Sequence, residues 1–255
     1  MCAVQFIDLS TPMMNGSYEP RPPEITYMDH KEFGANSAKK WGVDIEDIHD
    51  GVGGAAEMVT VSTHSATHMD APWHYGPTVA GEVSRKVDQI PLEWCYGDGV
   101  VLDLRHKNTG DWITANDIES CLNKIKYEVK EGDIILLWTG TDEKRDDPNY
   151  SELHPGMSIE STEYLLDRGV RVICIDAFGF DRPFSNQIPE FKAGKKGSLM
   201  PCHHILGRQR EYFQIEQVAN IGSIPKPHGF KLSCFPINIK DASGAWVRPV
   251  AIIED

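Results

Sequence analysis

The stretch that most narrows the fold is Asp133-Ile134-Ile135-Leu136-Leu137-Trp138. Its side chains are nearly all apolar, so a strand built from them has no face to give to water and must be covered on both sides. Ser158 then opens a helix carrying Tyr164 and Leu165, and Gly169 closes it. Val170-Arg171-Val172-Ile173-Cys174-Ile175 follows as another strand, ending at Asp176. Strand, helix, glycine stop, strand is a β-α-β unit, which calls for a sheet with helices packed outside it.

The rest of the chain fits that frame. Val4 to Leu9, Gly99 to Leu104, Phe230 to Ile239 and Ala245 to Ile253 read as further strands. Thr114 with Asp117 three residues on reads as a helix start. Ile118, Cys121, Leu122 and Ile125 share one face of that helix. At 255 residues the chain can bury a sizeable core, and the expectation is one α/β domain over 1–255. Within it, residues 1–56 read as an N-terminal strand plus a polar extended arm, and 57–255 as the core. The arm has too little apolar content for a core of its own. It is expected to serve as a lid or to contact a neighbouring copy, in a dimer or larger homo-oligomer.

Chemistry concentrates in one window, His64-Ser65-Ala66-Thr67-His68-Met69-Asp70-Ala71-Pro72-Trp73-His74. It follows the strand-like Met58-Val59-Thr60-Val61-Ser62, and Pro72 ends any regular element there. Imidazole and carboxylate are zinc and manganese ligands. His64, His68 and Asp70 share parity, so in an extended stretch all three face one side. His74 shares it too, but Pro72 breaks the register. Trp73, Tyr75 and, further on, Phe178 are candidates for an apolar wall around an aryl substrate. Pro201-Cys202-His203-His204 with Glu216 can add an imidazole and a carboxylate from a distant stretch. Asp176, at the end of a buried strand, stands where α/β sheets bind ligands, and equally where a turn needs an acid.

Composition excludes several functions. A formal net charge of −13 argues against nucleic acid or an anionic membrane as a partner. No apolar run reaches transmembrane length. Met1 to Leu9 is too short and too acidic for a secretory signal. Six cysteines are scattered with no C-x-x-C pair and read as reduced thiols, so a cytoplasmic setting is expected.

The eleven-residue window resembles the H-x-G-T-H-x-D-x-P-x-H signature of the metal-dependent cyclase family, which includes bacterial kynurenine formamidases and isatin hydrolases. It matches at His64, Thr67, His68, Asp70, Pro72 and His74. Ala66 replaces the usual Gly, as in the isatin-hydrolase-like branch. A second family element, a His twelve residues before a Glu, fits His204 and Glu216, whereas His203 gives thirteen. Similar pieces are His154-Pro155-Gly156, Arg168 to Val172, Asp181-Arg182-Pro183-Phe184 and Ser233-Cys234-Phe235-Pro236. Phe178-Gly179-Phe180 departs from the Trp and Ser of the isatin-hydrolase branch, which points away from isatin itself and toward another cyclic or aryl amide.

The resemblance implies a mixed, partly barrel-like sheet with outer helices, the swivelling β/α/β fold of these enzymes. It implies one or two divalent ions, Mn2+ or Zn2+. His64, His68 and Asp70 would hold the first; Asp70, His204 and Glu216 the second; His74 would act as general acid/base. The activity implied is hydrolysis of an isatin-like lactam or an N-formyl aryl amine. A cyclase or dehydratase using the same site is the alternative enzyme. A non-enzymatic metal-binding protein is the alternative class, but structural zinc sites favour closed, cysteine-rich sets, and this one is His and carboxylate.

Overall fold

The apolar runs converge on a single curled, mixed sheet in the computed structural model, which describes residues 4–254. Its strands among the described residues are β1 (Val4–Asp8), β2 (His68–Asp70), β3 (Tyr96–Asp103), β4 (Ile134–Trp138), β5 (Val172–Ile175), β6 (Phe213–Glu216), β7 (Phe230–Ser233), β8 (Gly244–Trp246) and β9 (Val250–Glu254). Their order across the sheet is β1-β9-β7-β3-β4-β5-β6-β2-β8. The middle four, β3 to β6, are parallel. Both flanks are antiparallel: β7, β9 and β1 on one side, β2 and β8 on the other.

The two faces of the sheet are two cores. Alternate residues of a strand point to opposite faces, so Ile134 and Leu136 enter one core with Val172, Cys174, Phe213 and Ile215. Ile135 and Leu137 enter the other with Val100, Leu102, Ile173 and Ile175. Side chains of the antiparallel flank, such as Phe230, Leu232 and Ala251, join the first core, giving the half-barrel interior. Ile118, Cys121 and Leu122 of the helix Ala115–Ile125, and Leu165 and Leu166 of Ile159–Leu166, cover the second. The expected caps are present. The Asp117 amide donates to Thr114 Oγ1 at 3.3 Å, and the Thr114 amide donates back to Asp117 Oδ2 at 2.8 Å. Gly169 adopts φ +87°, and a Cβ there would lie 2.8 Å from Glu131 Cα, so only glycine fits this turn.

Several boundaries differ from expectation. The expected strand Ala245 to Ile253 is two, β8 and β9, interrupted before Pro249. The run from Phe230 stops at Ser233, and Pro236 makes only an isolated bridge to Val247. A helix over Phe184–Lys192 was hidden by Pro189 inside it.

Residues 13–62 form a second compact unit, distinct from residues 4–12 and 63–254. It contains the helix His30–Trp41, capped by Asp29, and an antiparallel pair of Glu24–Met28 with Ala56–Thr60. The segment read as an extended arm therefore carries a helix and a strand pair. The strand foreseen before the histidine window pairs inside this unit, while the window supplies its own strand, β2, to the main sheet. Five cysteines are buried as free thiols; Cys2 lies outside the described residues. No helix among the described residues is long and apolar enough to cross a membrane.

Candidate metal centre

Strand register assembles the site. β2 lies between β6 and β8, with His68 opposite Glu216 and Asp70 opposite Gly244. Directly opposed residues on an antiparallel pair project side by side. His68 Nε2 is accordingly 3.6 Å from Glu216 Oε2 and 3.4 Å from Asp70 Oδ1. Gly244 leaves room for a further ring: a Cβ there would lie 2.7 Å from His64 Cε1. His64 reaches the site from the turn before β2, where Ala66 takes φ +53°. Parity thus explains His68 and Asp70, whereas His64 arrives by the turn. Its Nδ1 is 2.5 Å from Asp70 Oδ1.

Beyond β2, Pro72 starts a four-residue helix, Pro72–Tyr75. This places His74 one turn from Asp70, with Nε2 3.9 Å from Asp70 Oδ2 and its ring 4.0 Å from that of His64. The fourth imidazole comes from Pro201–Ile205, where the Leu206 amide reaches back five residues to the Pro201 carbonyl. This wide turn takes up one extra residue. It therefore presents His203, not His204, to the carboxylates. His203 Nε2 lies 3.5 Å from Asp70 Oδ2 and 3.7 Å from Glu216 Oε1. His204 turns away, with Nδ1 3.2 Å from the Tyr75 carbonyl. The twelve-residue spacing that selected His204 does not allow for the wide turn.

The three residues expected to wall a substrate differ in placement. Tyr75 is fully buried, stacked on Tyr212, and its hydroxyl donates to the Asp70 carbonyl at 3.3 Å. It flanks His203 at 5.3 Å between ring centroids and belongs to the framework. Trp73 is 37% exposed, with the Lys86 ammonium over its ring. Phe178 is half-buried and packs edge-on against Tyr150. Asp176 binds a turn: it accepts from the amides of Thr139 and Gly140 and from the Thr139 hydroxyl.

Three of the four rings have their other nitrogen engaged. His68 Nδ1 lies 2.9 Å from the Ala66 carbonyl, which fixes the proton there and leaves Nε2 for a ligand. His203 Nδ1 is 2.6 Å from Asp181 Oδ2, and Asp181 also accepts from the amides of Cys202 and His203. His64 Nε2 meets Ser243 Oγ at 2.9 Å. Asp181, Ser243 and Gly244 were not foreseen as site residues, since each comes from a stretch without a motif of its own. For Asp181 the sequence offers only the family likeness of the run Asp181-Arg182-Pro183-Phe184.

Among the described residues, only imidazoles offset the two carboxylates. Asp70 and Glu216 are buried, and neither has a Lys or Arg in ion-pair range among the described residues. Burial opposes ionisation of Asp70, but His74, His68 and His203 outweigh it and hold the carboxyl well below its usual range. Burial and the neighbouring Asp70 push Glu216 up to about 7. Burial alone would discharge His68, yet Asp70 and Glu216 raise it to about 9. His74 goes the other way: burial, against the pull of Asp70, lowers it to about 4, so it is neutral at pH 7.

This donor set fits a divalent metal. His64, Asp70 and His74 offer ligand atoms within 4.8 Å of one another, and so do His68, Asp70 and Glu216. Asp70 belongs to both groups, so its two oxygens could serve one ion each. The absence of cysteine and the surplus of ligands are features of an open, catalytic site rather than a structural one.

Residues 7–182 match the family described as "Putative cyclase". The chain is 25% identical over 244 residues to the isatin hydrolase of Roseibium aggregatum, covering 87% of this chain and 84% of that protein. It is 27% identical over 193 residues to the kynurenine formamidase of Geobacillus thermodenitrificans, covering 75% and 77%. A crystal structure of an isatin hydrolase bound to the product analogue thioisatinate superposes with a TM-score of 0.75 at 19% identity, over 99% of this chain and 93% of that one. The half-barrel sheet is thus a shared fold, and with the family match spanning most of the chain, including the whole histidine window, this protein belongs to the cyclase family.

Proposed function

We propose that the chain is a metal-dependent hydrolase that opens a cyclic or aryl amide. The observation that carries this reading is the meeting of four imidazoles and two buried carboxylates at one strand junction, with no Lys or Arg in ion-pair range among the described residues. His64, His68 and Asp70 would hold a first ion, Mn2+ or Zn2+. Asp70, Glu216 and His203 would hold a second. When bound, such an ion lowers the pKa of a coordinated water and polarises a carbonyl oxygen.

The chain's own residues do the rest. His74 is neutral at pH 7 and not fixed by a short hydrogen bond in the ligand cluster, so it is free to take a proton from water and pass it to the leaving nitrogen. Its ring lies 4.0 Å from that of His64, tilted by 30°. Tyr75, next to His74 in the same short helix, is buried and stacked on Tyr212, which anchors that helix in the core. The similarity to an isatin hydrolase and a kynurenine formamidase supports an amide of an aromatic amine as the substrate class.

We also propose a homo-oligomer, since Tyr27, Trp41 and Met58 of the smaller unit are each more than half exposed. Sedimentation as a monomer at micromolar concentration would remove that part. The enzymatic reading is tested by offering N-formyl anilines, isatins and small lactams to the manganese-loaded, zinc-loaded and metal-stripped protein. Turnover of at least one class with metal, and none without, is expected. Equal inertness of all three preparations would overturn it.

A further inference from the structure

The same sheet edge carries a second, separate concavity. In α/β sheets ligands gather at the carboxyl ends of parallel strands, near the point where strand direction changes. The metal centre uses the end of β6. At the ends of β3 and β4, next to antiparallel β7, lies a cavity of about 220 Å³. Its walls are apolar: Val101, Ile125, Trp138, Ile221, Ile224 and the proline pair Pro225 and Pro227. None of these residues takes part in the metal centre.

The walls are rigid. The Val101 amide donates to the Pro227 carbonyl at 2.7 Å, which pins the proline segment to β3. A Cβ on Gly222 would lie 2.7 Å from Trp138 Cζ2, so the loop sits directly against the indole. The Arg105 guanidinium lies 3.6 Å from the Trp138 ring centroid. Arg105 also pairs with Asp103, the acid in the lining, through both carboxylate oxygens. The two remaining charged groups of the lining are Lys124 and Lys226. Both are exposed and neither forms an ion pair among the described residues, although Lys124 lies near enough to Asp103 to help hold that carboxyl below its usual range. What sets these two lysines apart is their place: both stand in the lining of an apolar cavity.

We infer that this cavity is a binding site for a small amphipathic carboxylate, with an aromatic ring or short acyl body in the apolar part and its carboxylate between Lys124 and Lys226. Size agrees: a cavity of roughly 150 Å³ takes one benzene ring, so this one holds a ring with a short substituent. The two exposed ammonium groups of the lining favour a ligand that carries a carboxylate beside its apolar body, by the modest amount of surface ion pairs. The site stands independently of the metal centre and of the reaction proposed there.

Phenylacetate and its neutral isostere phenylacetamide are the probes, titrated into the metal-loaded protein with ligand-observed NMR. Phenylacetate should saturate in the millimolar range expected for a ligand of its size. Phenylacetamide should bind about tenfold more weakly, and the Lys124→Gln/Lys226→Gln protein should lose phenylacetate affinity by about the same factor, the sum of two surface ion pairs. His68→Ala, which disables the metal centre, should leave phenylacetate binding unchanged. Absence of saturation up to about 10 mM overturns the proposal. So does equal binding of acid and amide with no effect of the lysine changes, or loss of binding in His68→Ala, which would assign the carboxylate to the metal.

Discussion

Replacing Asp181 by Asn should weaken metal binding without touching a ligand. Three donors converge on this buried carboxylate: the Cys202 amide on Oδ1 at 2.8 Å, and the His203 amide and Nδ1 on Oδ2 at 3.2 and 2.6 Å. An asparagine offers one acceptor oxygen and one NH2 group. If the NH2 takes the Oδ2 position, it faces the Nδ1 proton, and the ring can restore a bond only by moving its proton to Nε2. Nε2 is the atom that faces Asp70 and Glu216, and a protonated nitrogen cannot ligate. If the NH2 takes the Oδ1 position, it faces the buried Cys202 amide and leaves it unpaired, at a cost of about 1–3 kcal/mol. In either pose the negative charge that makes His203 a stronger base is gone. Supporting carboxylates of this kind contribute about 10–100-fold to metal affinity, or about 1.4–2.8 kcal/mol. Competition against a chromophoric chelator reads the affinity, and thermal melting of the metal-stripped protein separates out the folding effect. An Asp181→Asn protein that binds its ions as tightly as the parent would refute the reasoning.

Three further outcomes follow from the same geometry. His203→Ala should remove the second ion while His204→Ala keeps it, by elemental analysis; the reverse order would restore the twelve-residue spacing as the guide. His74→Ala should hold near-normal metal content and lose about a hundredfold or more in turnover; metal loss equal to that of His68→Ala would make it a ligand instead. Burial holds Asp176 up at about 7, from an ordinary 3.8. The folded state then keeps a proton that the unfolded chain has released, so this group's contribution is full below pH 3.8 and lost as pH rises through about 7. Asp176→Asn should flatten that decline in melting temperature; an unchanged profile would show that the carboxylate is already ionised.

The parts of the fold that were legible were those whose signal is local. Thr114 and Asp117 cap a helix through bonds between near neighbours, and Ile134 to Leu137 announce a covered strand by composition alone. The helix His30–Trp41 was not legible, because the residues it buries are Gly34, Ser37 and Ala38 rather than large apolar ones. In the site, His68 and Asp70 were readable from parity because they lie in one strand. His203 was not, because a wide turn adds a residue that no spacing rule counts. Glu216 alone resembles a solvated acid, and only its pairing with His68 across β2 and β6 gives it a place. Ala66 shows why its position usually holds glycine: the backbone there is left-handed, which costs a non-glycine residue about 1–2 kcal/mol.

The central claim is that this site adds water across an amide bond. A single turnover in oxygen-18 water, by the manganese- or zinc-loaded protein on whichever lactam or N-formyl aryl amine it accepts, tests that directly by mass spectrometry of the product. Hydrolysis places one heavy oxygen in the new carboxylate, and the His74→Ala protein should form the same product slowly. A product without the heavy isotope would contradict the account and assign the site to a cyclisation or dehydration.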